Sequence, residues 1–242
     1  MININTARNT VLHLLNKTNR GYISPEEFNN FCNLAQLAIF ENLFFEYNKF
    51  INNQNRRFTN GEYADLPKNI REQIDHFTEY ATLSYDEPND LFSFVGNNFY
   101  RTGGLSLVTI SNKKKKDVEE ISKSRLNMSM NSNVVGPTVT YPEYIKITDK
   151  YRLFPKVLAT DYELELFYIR TPKFPKWTYI NVGGNPVYNP SATDLQHIEL
   201  SESLFEIFIV KVMLYAGFSI REQDVVQASV NEEAKVEQKK NQ

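Results

Sequence analysis

From Ser24 to about Asn53 the sequence specifies a helix with more apolar and aromatic surface than a single stripe can hold, and this restricts what the chain can fold into. Ser24 is an N-cap residue, Pro25 suits the first helical position, and Glu27 completes an S-x-x-E capping box. Glu26 and Glu27 sit where the helix dipole favours negative charge. Phe28, Phe31, Leu34, Ala35, Leu37, Ala38, Ile39, Phe40, Leu43, Phe44, Phe45, Tyr47, Phe50 and Ile51 then cover most of the circumference. Such a helix is buried on several sides, by its own fold or by neighbouring subunits.

At 242 residues the chain holds one sizeable core or two small lobes. A net charge of −2 argues against a nucleic-acid binder, whose domain is usually strongly basic. The single cysteine, Cys32, excludes an internal disulfide and any multi-cysteine metal site, and its place between Phe31 and Leu34 reads as a small buried hydrophobe. MININTARNT lacks the apolar core of a signal peptide, and the run Leu204–Phe218 is broken by Glu206, Lys211 and Gly217. The expectation is a soluble protein that is not exported by a cleavable signal and does not enter a membrane.

The predicted order is helices, strands, helix. Helices are expected over Thr6–Lys17, Ser24–Asn53 and Pro67–Tyr80, the last from Ile70, Ile74, Phe77 and Ala81 at helical spacing. LFSFVGNNFYRTGGLSLVTI reads as strands split by turns at Gly96–Asn97 and Gly103–Gly104. KKKKDVEEISKSRLNM reads as a charged, exposed arm between strands. Further strands are expected at Tyr144–Thr148, Arg152–Phe154, Tyr162–Arg170 and Trp177–Val182, with Tyr162, Leu164 and Leu166 on the buried face of the third. A last helix is expected to be capped by Ser201 or by Ser203, the latter in a box with Glu206, and to stop at Gly217, with a short second helix over Ile220–Ala228. The fold class is α+β: one domain over 1–230, with 1–83 and 199–230 helical, 91–182 β-rich and mostly antiparallel, and the charged arm near 112–135. The tail 231–242 is charged, nearly without large apolar residues, and expected to be disordered when free.

No nucleophile elbow, phosphate loop or dinucleotide fingerprint is present, and His13, His76 and His197 lack partners at metal-ligand spacing. Catalytic, cofactor and metal residues are therefore expected to be none. Gly103–Gly104 and Gly183–Gly184 read as turn chemistry. The run Lys113, Lys114, Lys115 and Lys116 reads as a solvated loop. Contact with DNA phosphate or an acidic neighbour is the alternative, blunted by Asp117, Glu119 and Glu120.

Three segments together resemble the head-to-tail connector, or neck ring, proteins of crAss-like tailed bacteriophages: RGYISPEEFNNFCNLAQLAIFENLF, LFSFVGNNFYRTGGLSLV and ELSESLFEIFIVKVMLYAGFSIREQDVVQASVNEEAKVEQ. The most telling piece is the apolar helix followed by Gly217–Phe218, Ile220–Asp224 and a charged tail. The resemblance implies a non-enzymatic virion protein, assembled in the host bacterial cytoplasm into a ring of twelve copies. That ring joins the portal to the tail and lines the channel through which genomic DNA passes without sequence-specific binding. Its implied partners are further copies of the chain, the portal and other neck or tail rings. On this reading Phe40, Phe44, Phe45 and Tyr47 are subunit-interface candidates, because a heterologous ring contact gives each helix a second face to cover. Val225, Val226, Val230 and Val236 are docking candidates for portal or ring, the tail ordering on assembly. Lys113–Lys116 would face the channel or a neighbour. The competing expectation is an assembly factor or minor capsid-associated protein absent from the finished virion.

Overall fold

The computed structural model describes residues 1–17, 22–55, 66–132, 136–156 and 161–220. They fall into two compact units rather than the single expected domain: one contains residues 1–76 and the chain from Pro172 onward, the other runs from Phe77 to Thr171.

The first unit is helical. Helix α1 (Ile4–Lys17) starts where the Asn3 side chain accepts hydrogen bonds from the backbone N–H groups of Asn5 (2.9 Å) and Thr6 (3.3 Å). It buries Ile4, Ala7, Val11 and Leu15, one residue per turn. Helix α2 (Pro25–Asn55) follows the expected bounds closely. Its capping box forms: Ser24 N donates to Glu27 Oε2 at 2.9 Å, and Glu27 N donates to Ser24 Oγ at 3.3 Å. Helix α3 (Leu66–Asp75) is shorter than expected. Phe77 and Ala81, placed on that helix by their spacing, instead begin the second unit.

The second unit is a closed sheet. Its strands are β1 (Thr78–Thr82), β2 (Ser84–Asp86), β3 (Leu91–Ser93), β4 (Phe99–Thr109), β5 (Lys115–Glu120), β6 (Glu143–Ile147), β7 (Lys150–Phe154) and β8 (Tyr162–Arg170), with a short helix α4 (Leu126–Met130). The lateral order is β1-β8-β4-β5-β6-β7-β3-β2, antiparallel except between β5 and β6. The two outermost strands, β1 and β2, are consecutive halves of one stretch separated only by Leu83, whose N–H donates to Leu164 O at 2.8 Å. The sheet therefore curls round onto itself, which removes long free edges. Its interior is filled from every strand, by Leu83, Phe92, Leu105, Leu107, Val118, Tyr144, Tyr151, Leu153, Leu164, Leu166 and Tyr168, with Ala81 and Tyr85 packed against them. Alternation along β8 places Leu164 and Leu166 inside, as expected, with Tyr168 continuing the same face and Tyr162 half-buried at its start.

Two expectations for this unit are corrected. Residues 115–120 of the charged stretch are not an arm but a strand in the middle of the sheet. Val118 opposes Leu105 inside, while Lys115, Asp117 and Glu119 point to solvent. Pairing with β4 overrides a composition that disfavours strands. Gly103–Gly104 is not a turn; it lies within β4 at a register shift against β8. A Cβ on Gly103 would run into the Phe167 ring, so the bulge needs glycine there.

Interior tyrosines carry their hydroxyls to polar partners: Tyr151 to Thr102 Oγ1 (2.7 Å), Tyr144 to Glu120 Oε2 (3.2 Å) and Tyr168 to Glu79 Oε2 (3.0 Å). Burial pushes all three phenols up; Glu120 adds to it at Tyr144, Glu79 at Tyr168, and Asp149 and Glu120 at Tyr151, where the Thr102 hydrogen bond partly opposes it. A raised folded-state pKa favours the neutral phenol in the fold. This contribution is present below the ordinary tyrosine value of 10.0 and is lost as pH rises through the folded values. Titration of the phenolate absorbance should show a late fraction of the tyrosines ionising above pH 10.0, with a urea midpoint that falls as pH rises beyond that value. A single ionisation step at an unchanged midpoint would contradict it.

The chain returns to the first unit at Pro172. Strands β9 (Tyr179–Val182) and β10 (Asn185–Tyr188) form a hairpin whose two-residue loop is Gly183–Gly184, at φ 60° and 86°. This is the turn chemistry expected of a Gly-Gly pair. A 3₁₀ turn (Glu202–Leu204) leads into helix α5 (Phe205–Ile220). The Ser203–Glu206 box does not form; Ser203 lies inside the 3₁₀ turn, its hydroxyl donating to Ser201 Oγ at 3.0 Å. Nor does Gly217 end α5: the helix passes through it, and Gly217 is buried. The expected helix after Ile220 and the tail lie outside the described residues.

Candidate interaction surface

Helix α2 divides its apolar surface in two. Phe28, Cys32, Ala35, Ile39, Phe40 and Leu43 are buried at helical spacing, and α2 packs against α3 and α5. Burial raises the Cys32 thiol well above its usual value, in keeping with a structural cysteine. The opposite side leaves Leu34 at 48% and Phe45 at 67% exposure, amid exposed Asn30, Glu41 and Asn42.

Two amides on the buried stripe were not singled out by sequence reasoning. Gln36 is fully buried; its Nε2 donates to Lys173 O at 2.8 Å, and its Oε1 accepts from Glu199 N at 2.9 Å. Seven residues earlier, Asn29 treats Trp177 likewise, donating to its carbonyl (3.3 Å) and accepting from its N–H (2.8 Å). Both side chains behave as surrogate strands, gripping the irregular chain between Pro172 and Leu200. Buried Glu199 adds a bond, its Oε2 accepting from Lys173 N at 2.8 Å. Two amides a heptad apart inside an apolar stripe were the available signal.

The grip on Trp177 fixes the base of the β9–β10 hairpin. The Trp177 indole is buried, donates to Asn5 Oδ1 at 3.0 Å, stacks on Tyr179 and Tyr188, and has the Arg8 guanidinium 3.9 Å from its ring centroid. Burial lowers the Arg8 pKa, partly opposed by Tyr22. Beyond that base the hairpin offers solvent Tyr179, Ile180, Val182 and Val187, between 37% and 56% exposed. Leu34 and Phe45 on α2 are further exposed large apolar residues of the same unit.

The interface candidates separate on this geometry. Phe40 belongs to the core of its own chain, at 1% exposure, and is removed from the interface set; it lay on the inward stripe of a helix apolar nearly all round. Phe44 is half-buried, its ring edge-on to Phe40 with centroids 5.1 Å apart. Tyr47 is half-buried and Phe45 projects. Val225, Val226, Val230 and Val236 lie outside the described residues.

The lysine run is in the second unit, and two of its four members pair with carboxylates there. Lys113 lies 3.9 Å from Glu163, Lys115 pairs with Glu165, and Lys116 donates to Val139 O at 2.9 Å. Lys114 is exposed. The glutamates come from the wet face of β8, brought alongside because β4 pairs with both β5 and β8. The pairs on Lys113 and Lys115 are exposed and worth at most about 1 kcal/mol each. Of the histidines, His13 and His76 are exposed, and His197 Nδ1 accepts from the Ile4 N–H at 3.4 Å, at the start of α1. Among the described residues no group of three or more His, Cys, Asp or Glu could hold a metal ion. Among them also no helix is long and apolar enough to cross a membrane.

No protein-family model matches the sequence, and no curated protein matches it.

Proposed function

We propose that this chain is a structural protein that assembles with copies of itself into a closed ring in the neck of a tailed phage, between portal and tail. The observation that carries self-assembly is the projection of Phe45, 67% exposed on a helix whose opposite side is already committed to its own core. An exposed aromatic about three turns along the same face from exposed Leu34 is the kind of anchor that interfaces concentrate. The phage setting rests on the sequence resemblance alone. The pairing of Lys113 and Lys115 with glutamates of their own chain favours a neighbouring-subunit or solvent role for that face over contact with DNA.

Quantitative mass spectrometry of purified particles tests the reading. About a dozen copies of the chain per virion are expected of a single closed ring. Absence from the particle would make it an intracellular assembly factor, and hundreds of copies would make it a shell or sheath component; either would overturn the proposal.

A further inference from the structure

The β9–β10 hairpin has one open edge and one blunted edge. Its register pairs Val182 with Asn185 beside the Gly183–Gly184 turn, Asn181 with Pro186, Ile180 with Val187 and Tyr179 with Tyr188. In a two-residue hairpin the pair flanking the turn exchanges hydrogen bonds, and the next pair turns its backbone groups outward. The backbone N–H groups of Asn181 and Tyr179 therefore face away from β10. On the other side the outward position opposite Asn181 is Pro186, which has no N–H to offer and obstructs an added strand. Among the described residues these two strands form a sheet of their own, with no third strand on either side. A lone two-stranded hairpin is marginal in water, and this one also exposes Ile180, Val182 and Val187. It carries no charged residue between Tyr179 and Tyr188, in a chain that is 23% charged.

The chain itself contains a complementary segment. Twenty-two residues follow Ile220, and within them 225–231 is an uncharged run bounded by Asp224 and Glu232. Although Ile220–Ala228 reads as a short helix, the chain also alternates from Val226 onward: Val226, Ala228 and Val230 apolar, Gln227, Ser229 and Asn231 polar, the period of a half-buried strand. Four such residues match the length of β9, and an uncharged run is what an uncharged edge admits without stranding a charge. An open edge on this hairpin and a matching donor segment elsewhere in the same chain are the two halves of a head-to-tail contact, which is the type that closes into rings.

We propose that the outer edge of β9 accepts residues 225–231 of a neighbouring copy as a third strand, extending the Ile180–Val182 face with Val226, Ala228 and Val230. This rests on the self-assembly reading and names the contact that links one subunit to the next.

The test uses the full chain with a benzophenone amino acid at position 180, prepared as a mixture of ¹⁵N-labelled and unlabelled copies. Irradiation of the concentrated mixture should give cross-links from position 180 to residues 225–231 that join labelled to unlabelled chains. Adding Asn181→Pro, which removes the outward N–H, should reduce their yield at least tenfold at an unchanged thermal midpoint. Cross-links confined to a chain's own tail, cross-links to another segment, an unaffected yield in the proline variant, or no cross-link would each overturn the proposal. Mass photometry of the same sample separates it from the ring reading. Closed rings without these cross-links leave the ring and remove the strand exchange, whereas cross-linked open chains leave the exchange and remove the ring.

Discussion

Phe40→Ala is expected to cost the helical unit about 3–5 kcal/mol, whereas Phe45→Ala, five residues further along the same helix, should leave the monomer within about 0.5 kcal/mol of its starting stability. The first empties a fully buried site and takes the edge-on contact from Phe44; the second trims a ring that is 67% exposed. Assembly should show the reverse contrast. Removing Phe45 should weaken association of copies by about tenfold or more, the scale of a truncated aromatic anchor. Urea denaturation of the monomer and sedimentation across a concentration series read the two effects separately. If Phe45→Ala also unfolds the chain, or leaves association untouched, the exposed side of α2 is not an interface.

Gln36→Ala is the second substitution with a large expected effect. It withdraws a donor from Lys173 O, at a part-buried position, and an acceptor from Glu199 N, at a buried one. Each backbone group left unpaired costs about 1–3 kcal/mol, and the deleted amide leaves a cavity, so a loss of about 3–5 kcal/mol is expected. Gln36→Leu restores most of the volume and none of the hydrogen bonding. It should recover only the cavity part, and recovery to the wild-type urea midpoint would show that the two bonds contribute little. Because the amide grips the chain leading to the hairpin, hydrogen exchange at Lys173 and Trp177 should quicken in both variants.

The legible parts of this fold are those where a local rule and the tertiary structure agree. The Ser24–Glu27 box set the start of α2, the alternation Tyr162–Leu164–Leu166 set the inward face of β8, and Gly183–Gly184 set a hairpin turn. Misreadings fall where long-range pairing decides. Phe77 and Ala81 continue the helical spacing of Ile70 and Ile74, yet the following residues pair with β8, and a strand wins. Lys115–Glu120 holds one buried apolar residue, Val118, and is a strand because β4 lies beside it. Gly103 is a bulge because Phe167 comes from a distant strand to fill the space a side chain would take. The candidate surface was half legible for a related reason. When nearly the whole circumference of a helix is apolar, sequence cannot distinguish Phe40 from Phe45; that distinction belongs to whatever packs against it. The open edge of β9 was legible only after the register placed Pro186 opposite Asn181.

The barrel interrupts its host. Its first and last residues lie side by side, Thr78 paired with Ile169 and Arg170 N donating to Phe77 O at 2.9 Å, so it sits in the chain as a cassette whose ends meet. A ribosome making this protein finishes α2 at Asn55 and reaches α5 only at Phe205, 150 residues later (205 − 55). At roughly 5–20 residues per second the inward side of α2 waits about 8–30 s for the helix that covers it. The barrel is complete well before then and can fold ahead of its host. The nascent chain thus carries a finished β domain on an unfinished, sticky helical one, and neighbouring ribosomes on one message would hold several such helices close together. Slow elongation through residues 77–171 would lengthen that exposure and raise aggregation without altering a single contact of the finished protein.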